Sequence, residues 1–174
     1  MKKVQKKFEK TIDKQKSKEY NKITKEREVR KMTKAIWFDM DGTIADLYGV
    51  ENWLNYLIEE DTTPYEIAKG MNLAPIARQL NRLTKQGWTV NIVSWASKKA
   101  TPEYEVRIAK AKIEWLDRHL PSVTFTDIQI LPYGTPKSTV GDGILFDDEE
   151  RNRTEWNGTA YDVNNIYEIL KGLN

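Results

Sequence analysis

Cysteine is absent from all 174 residues, which excludes disulfides, thiol nucleophiles and thiolate-bound metals. Histidine occurs once, as His119, so a multi-histidine metal centre is excluded too. Any metal here is therefore hard and held by oxygen, with Mg²⁺ the first choice. No apolar run approaches the roughly 20 residues of a membrane span, so no bilayer crossing is expected. The N-terminus carries lysines without an apolar core and does not read as a secretory signal. Together with the lack of cysteine, this points to a cytoplasmic protein.

What is present divides into two parts. Residues 1–34 hold 14 Lys/Arg against 5 Asp/Glu, whereas the other 140 residues hold 14 against 21. A basic head precedes an acidic body. The head, residues 1–33, reads as a helical arm with a thin apolar stripe at Val4, Phe8 and Ile12. Such an arm can attract phosphate backbones, although a charge run is more often a solvated extension. The body, residues 34–174, has the length of one domain.

The body is organised around Ala35-Ile36-Trp37-Phe38-Asp39-Met40-Asp41-Gly42-Thr43. Residues 35–38 read as a strand buried on both faces. Asp39 and Asp41 then project the same way from its carboxyl end, and Gly42 permits a sharp turn. Two adjacent carboxylates repel unless a cation or a proton holds them.

Downstream, apolar periodicity predicts helices near 53–58, 62–69, 73–86, 102–120 and 164–173. Buried strands are predicted over 88–94, 123–131, 143–148 and 159–163. Tyr104, Ile108, Ala109, Ile113, Trp115, Leu116 and Leu120 are expected to face inward from the long helix. His119, in its last turn, suits the helix dipole. Strands alternating with helices predict an α/β fold of three layers, Rossmann-like, around a parallel sheet of about five strands. Residues 46–72 then form a small helical cap inserted after the first strand. Right-handed crossovers bring Asp39, Asp41, Ser94, Asp147 and Asp148 to one edge of the sheet.

Several carboxylates in one crevice suit Mg²⁺ and a phosphate ligand. A serine hydroxyl and a lysine ammonium at the same edge suit phosphate oxygens. Residue chemistry alone thus reaches Mg²⁺-dependent phosphoryl transfer, with one aspartate attacking phosphorus and the other moving a proton.

Asp39-Met40-Asp41-Gly42-Thr43 resembles the DxDGT signature of the haloacid dehalogenase-like phosphatases. Ser94 after its strand is similar to that family's second motif, Lys137 to its third, and Asp147-Asp148 to its fourth. The resemblance covers residues 34–163. It implies Asp39 as nucleophile forming an aspartyl-phosphate, and Asp41 as general acid and base. It implies Mg²⁺ held by Asp39, the Asp41 carbonyl and Asp148, with Asp147 in support. Ser94 and Lys137 would hold phosphoryl oxygens, with Gly42, Thr43 and Trp95 beside them. Lys98 and Lys99 compete for the place of Lys137.

Two branches look closest. Lys137 and the Asp-Asp strand end resemble the type C 5′(3′)-deoxyribonucleotidases, whose helical cap is larger than residues 46–72 supply. The Ser94 loop and the helix bearing Tyr104 and Trp115 resemble the phosphatase domain of polynucleotide kinase/phosphatases. The expected partner is therefore a phosphomonoester, either a nucleotide or a nucleic-acid end, with residues 1–33 as a possible nucleic-acid contact. Tyr48, Trp53, Tyr56 and Trp95 could stack on a base. The rival class is a non-catalytic nucleic-acid-binding module that uses only the arm.

Overall fold

The computed structural model describes residues 33–174. The arm expected over residues 1–33 lies, but for Thr33, outside them. Strands among the described residues are β1 (Ala35–Phe38), β2 (Ala45–Asp46), β3 (Lys69–Gly70), β4 (Thr89–Trp95), β5 (Asp127–Leu131), β6 (Ile144–Phe146) and β7 (Thr159–Tyr161). The helices are α1 (Trp53–Ile58), α2 (Thr63–Ile67), α3 (Leu73–Lys85), α4 (Pro102–His119), α5 (Glu150–Glu155) and α6 (Ile166–Gly172).

Five strands form a parallel sheet in the order β5-β4-β1-β6-β7. The organising strand β1 is central. Ile36 lies opposite Val90 and Ile144, and Phe38 opposite Ile92 and Phe146. Side chains alternate across the sheet, so Ile36 and Phe38 join a core with α3, α4 and α6, through Leu83, Trp115 and Leu170. Trp37, Val93 and Leu145 meet Trp156 on the opposite face. Burial on both faces explains why β1 is an unbroken apolar run.

Local structure departs from expectation at four places. Residues 123–126 do not join β5, which begins only at Asp127. The helix expected to reach Lys69 ends at Ile67, because Ala68 turns extended and Lys69–Gly70 pairs antiparallel with Ala45–Asp46. That two-residue ladder joins the ends of the segment carrying α1 and α2. On α4 the inward stripe passes through Ala111 and Lys112 rather than Ile113, which is 40% exposed. Finally, α5 was not expected. Its residues are polar, and the helix faces the strand-end acids instead of the core.

The inserted segment is bonded to α4 at several points. The Glu60 carboxylate accepts hydrogen bonds from the Thr101 backbone N–H (3.0 Å) and hydroxyl (2.9 Å). Tyr104 donates its hydroxyl to the Asp61 carbonyl at 2.8 Å, and Trp115 its indole N–H to the Ala68 carbonyl at 2.7 Å. Arg118 donates to the Glu66 carbonyl at 2.8 Å. One helix thus supports the insertion from Glu60 to Ala68.

Candidate active site

The chain leaves β1 through a tight turn in which the Met40 carbonyl accepts from the N–H groups of Thr43, Ile44 and Ala45. This turn fixes Asp39 and Asp41 at the strand end. Gly42 adopts a positive φ of 75° there. A Cβ on Gly42 would stand 2.5 Å from Asp148 Oδ2 and 2.7 Å from the Tyr48 ring. Only glycine admits both neighbours.

Asp39, Asp147 and Asp148 converge so that one carboxylate oxygen from each lies within 4.8 Å of the others. Lys137 Nζ bridges Asp39 (2.8 Å) and Asp147 (2.6 Å). Asp147 is fully buried, and both its oxygens accept from protein: Oδ2 from Lys137 and Asn152, Oδ1 from Asn152 and the Glu149 N–H. Asp148 is different. Its carboxylate has one long contact, 3.5 Å from the Thr43 hydroxyl. Asp147 is thereby committed to holding Lys137, while Asp148 keeps oxygens available for a cation. Arg153 braces the pair from behind, donating to the Asp147 and Asp148 carbonyls at 2.8 and 2.7 Å.

A second lysine lies on the other side. Lys112 is fully buried, and its Nζ donates to Asp41 Oδ2 (2.7 Å), Ser94 Oγ (2.9 Å) and the Trp95 carbonyl (2.8 Å). The crevice thus sets four carboxylates against two ammonium groups. With all four ionised, these groups leave two negative charges uncompensated, which one divalent cation would balance. An all-oxygen donor set with net negative charge fits Mg²⁺.

The electrostatics follow from crowding. Burial holds the carboxyls of Asp41 and Asp147 above their usual range, with Asp39 adding to both and the lysines opposing. Asp148 is pushed up to about 7, first by burial and then by Asp39 and Asp147. For Lys137 burial acts downward, but Asp39 and Asp147 outweigh it and keep the ammonium charged.

Asp39, Asp41 and Lys137 open onto a cavity of about 330 Å³, a size suited to a small molecule. Trp53, Leu54 and Leu57 of α1 line it from the insertion, together with Trp95 and Tyr133, whose rings lie 5.1 Å apart. Leu54 and Ile58 are exposed although apolar, because they face this opening and not the core. Tyr48 also lines the cavity, whereas Tyr56 does not.

Several expected residues take other positions. Ser94 is fully buried behind the cavity wall, where its Oγ accepts from Lys112; the wall is Trp95, Ala96 and Ser97. The Ser94 hydroxyl, expected at a phosphoryl oxygen, meets the Lys112 ammonium at 2.9 Å. Thr43 is also buried, and its hydroxyl accepts from the Asp148 N–H instead of facing the cavity. Trp95 presents its ring to Lys137, 5.0 Å from the centroid, and donates its indole N–H to the Thr135 carbonyl. Lys98 stands at the rim near Tyr133, and Lys99 is exposed. Of these three lysines, Lys137 is the one paired with Asp39. His119 stacks on Trp115, away from the crevice.

With this geometry in hand, the family model described as 5′ nucleotidase, deoxy (pyrimidine), cytosolic type C protein matches residues 63–169. The chain belongs to this family. It is thereby a phosphatase of the haloacid dehalogenase-like superfamily. The match takes in Lys112, Lys137, Asp147 and Asp148 but begins after β1, so Asp39 and Asp41 join the site through geometry. No curated protein matches the chain. Among solved structures, D,D-heptose 1,7-bisphosphate phosphatase from Burkholderia thailandensis is similar at 10% identity. That likeness covers 79% of this chain and 96% of that one, with a TM-score of 0.47. No helix of the described residues is long and apolar enough to cross a membrane.

Asp148 generates a prediction about pH and metal. Its carboxyl holds a proton up to about pH 7 when folded, against 3.8 ordinarily, so the folded state binds more protons between those values. Stability from this group is greatest at low pH and falls as pH rises through 7. Melting curves of the metal-free chain should therefore shift upward from pH 8 to pH 6. Added Mg²⁺ should raise Tm more at pH 8 than at pH 6, because metal and proton compete for the same oxygens. A Mg²⁺ effect larger at pH 6 would contradict this assignment.

Proposed function

We propose that this protein is a Mg²⁺-dependent phosphomonoesterase that hydrolyses nucleoside monophosphates through an aspartyl-phosphate on Asp39. The observation carrying this reading is the position of Asp39. It lines the cavity, 2.8 Å from the Lys137 ammonium, beside the loosely engaged Asp148. A cytosolic setting, as in the family's description, belongs to the same reading.

An Asp39 carboxylate oxygen attacks phosphorus, the phosphorus–ester oxygen bond breaks, and Asp41 gives its proton to the leaving oxygen. Asp41, now a carboxylate, takes a proton from water as that water attacks the acyl phosphate. Inorganic phosphate leaves and Asp39 is regenerated. Lys137 spends two of its three N–H groups on Asp39 and Asp147, which leaves one for a phosphoryl oxygen. Mg²⁺ held by Asp39, Asp148 and the Asp41 carbonyl would supply charge neutralisation for the phosphoryl group.

The nucleotide part of the reading rests on the cavity walls. Trp53 and the leucines of α1 line the same cavity as Trp95 and Tyr133, and together these aromatic and apolar surfaces suit a flat ring. A nucleic-acid end is the second reading, favoured by the basic composition of residues 1–34.

Asp39→Asn should cut phosphate release from a deoxynucleoside monophosphate by at least about 10³-fold without lowering Tm. A variant that keeps full activity would sink the mechanism. A 5′- or 3′-phosphorylated oligonucleotide assayed in parallel should turn over more slowly than the mononucleotide; the reverse order selects the second reading. Trp53→Ala should weaken nucleotide binding by roughly 1–3 kcal/mol, a rise in KM larger than the fall in kcat, if the ring stacks there. An unchanged KM places the base elsewhere.

A further inference from the structure

Lys112 is a charged side chain with no exposure, on a helix whose other inward residues are apolar or aromatic. Burying an ammonium is costly unless every N–H finds a partner. Here all three do: the Asp41 carboxylate, the Ser94 hydroxyl and the Trp95 carbonyl, each within 2.9 Å. The Tyr65 ring closes the remaining side, 5.0 Å away. Lys137 differs, since it keeps one N–H toward the cavity.

With no N–H to spare, Lys112 cannot hold a phosphoryl oxygen without breaking one of these bonds. It does not line the cavity. What it can do is fix two groups that must be aimed. It holds one Asp41 oxygen, leaving the other to meet the leaving group. Its bond to Ser94 Oγ uses that oxygen as an acceptor. The third bond pins the Trp95 backbone, whose ring lies beside Lys137. We infer that Lys112 is a positioning residue for leaving-group protonation, holding Asp41 in its proton-donating orientation from a site anchored to Ser94 and Trp95. This rests on the phosphatase reading above and assigns to that reaction a residue outside its four motifs.

The consequence is selective. A p-nitrophenolate leaves without needing a proton, whereas a nucleoside alkoxide needs one. Phosphate release from p-nitrophenyl phosphate and from a deoxynucleoside monophosphate is measured with Lys112→Met, which replaces the ammonium by an apolar chain of similar length. The expected loss is about 100-fold on the nucleotide and under about 10-fold on the aryl ester, largely in kcat. In an Asp41→Asn background the same change should cost less than about 3-fold, because the group it positions is gone. Melting curves accompany each variant, and Lys112→Gln carries the test should the Met variant unfold. Equal losses on both esters, or a loss undiminished beside Asp41→Asn, would overturn the assignment while leaving the phosphatase reading intact. A wild-type chain that releases phosphate from neither ester overturns both.

Discussion

The crevice depends on one ion pair that cannot be left half made. Lys137 and Asp147 are both buried, and removing either would strand the other's charge away from water. Asp147 has no oxygen free for another task, since Asn152 and the Glu149 N–H fill what Lys137 leaves. The pair therefore fixes a cation beside Asp39. That cation counters the repulsion from having Asp39 and Asp148 so near each other. Two strand ends, β1 and β6, can then present acids side by side because Lys137 stands between them.

The same logic repeats across the crevice and joins it to the insertion. Lys112 neutralises Asp41 from α4, the helix that also bonds Asp61, Ala68 and Glu66 of the inserted segment. Strand-end chemistry, cavity wall and insertion thus share one rigid support. The insertion contributes Trp53 and Leu54 to the cavity lining, while the sheet supplies Trp95. Catalytic charge and substrate-facing apolar surface come from different layers, joined through α4.

Most of the architecture was legible because parallel strands buried on both faces leave continuous apolar runs. Ala35–Phe38 and Ile144–Phe146 read as strands, and their terminal acids followed by topology alone. What escaped had weaker local signals. The pairing of Ala45–Asp46 with Lys69–Gly70 is a contact between distant segments only two residues long, and no periodicity announces it. Lys112 gives no such signal by residue type, because lysine is ordinarily exposed. Yet it stands four residues after Ile108 and three before Trp115, on the inward stripe, and that spacing was the available signal. The place of Ser94 after a strand marks it, but its burial depends on the long-range contact with Lys112. Asn152 and Arg153 lie on a short polar helix with no apolar face, so only their contacts to Asp147 and Asp148 distinguish them.

The proposed mechanism requires that Asp39 become covalently phosphorylated during turnover. Its most direct test is acid quenching of the chain during turnover of a deoxynucleoside monophosphate with Mg²⁺, followed by peptide mass spectrometry. An acid-stable, hydroxylamine-labile phosphoryl group is expected on the peptide containing Asp39, absent when Mg²⁺ is omitted. A single-turnover time course that releases phosphate with no such adduct at any point would contradict it.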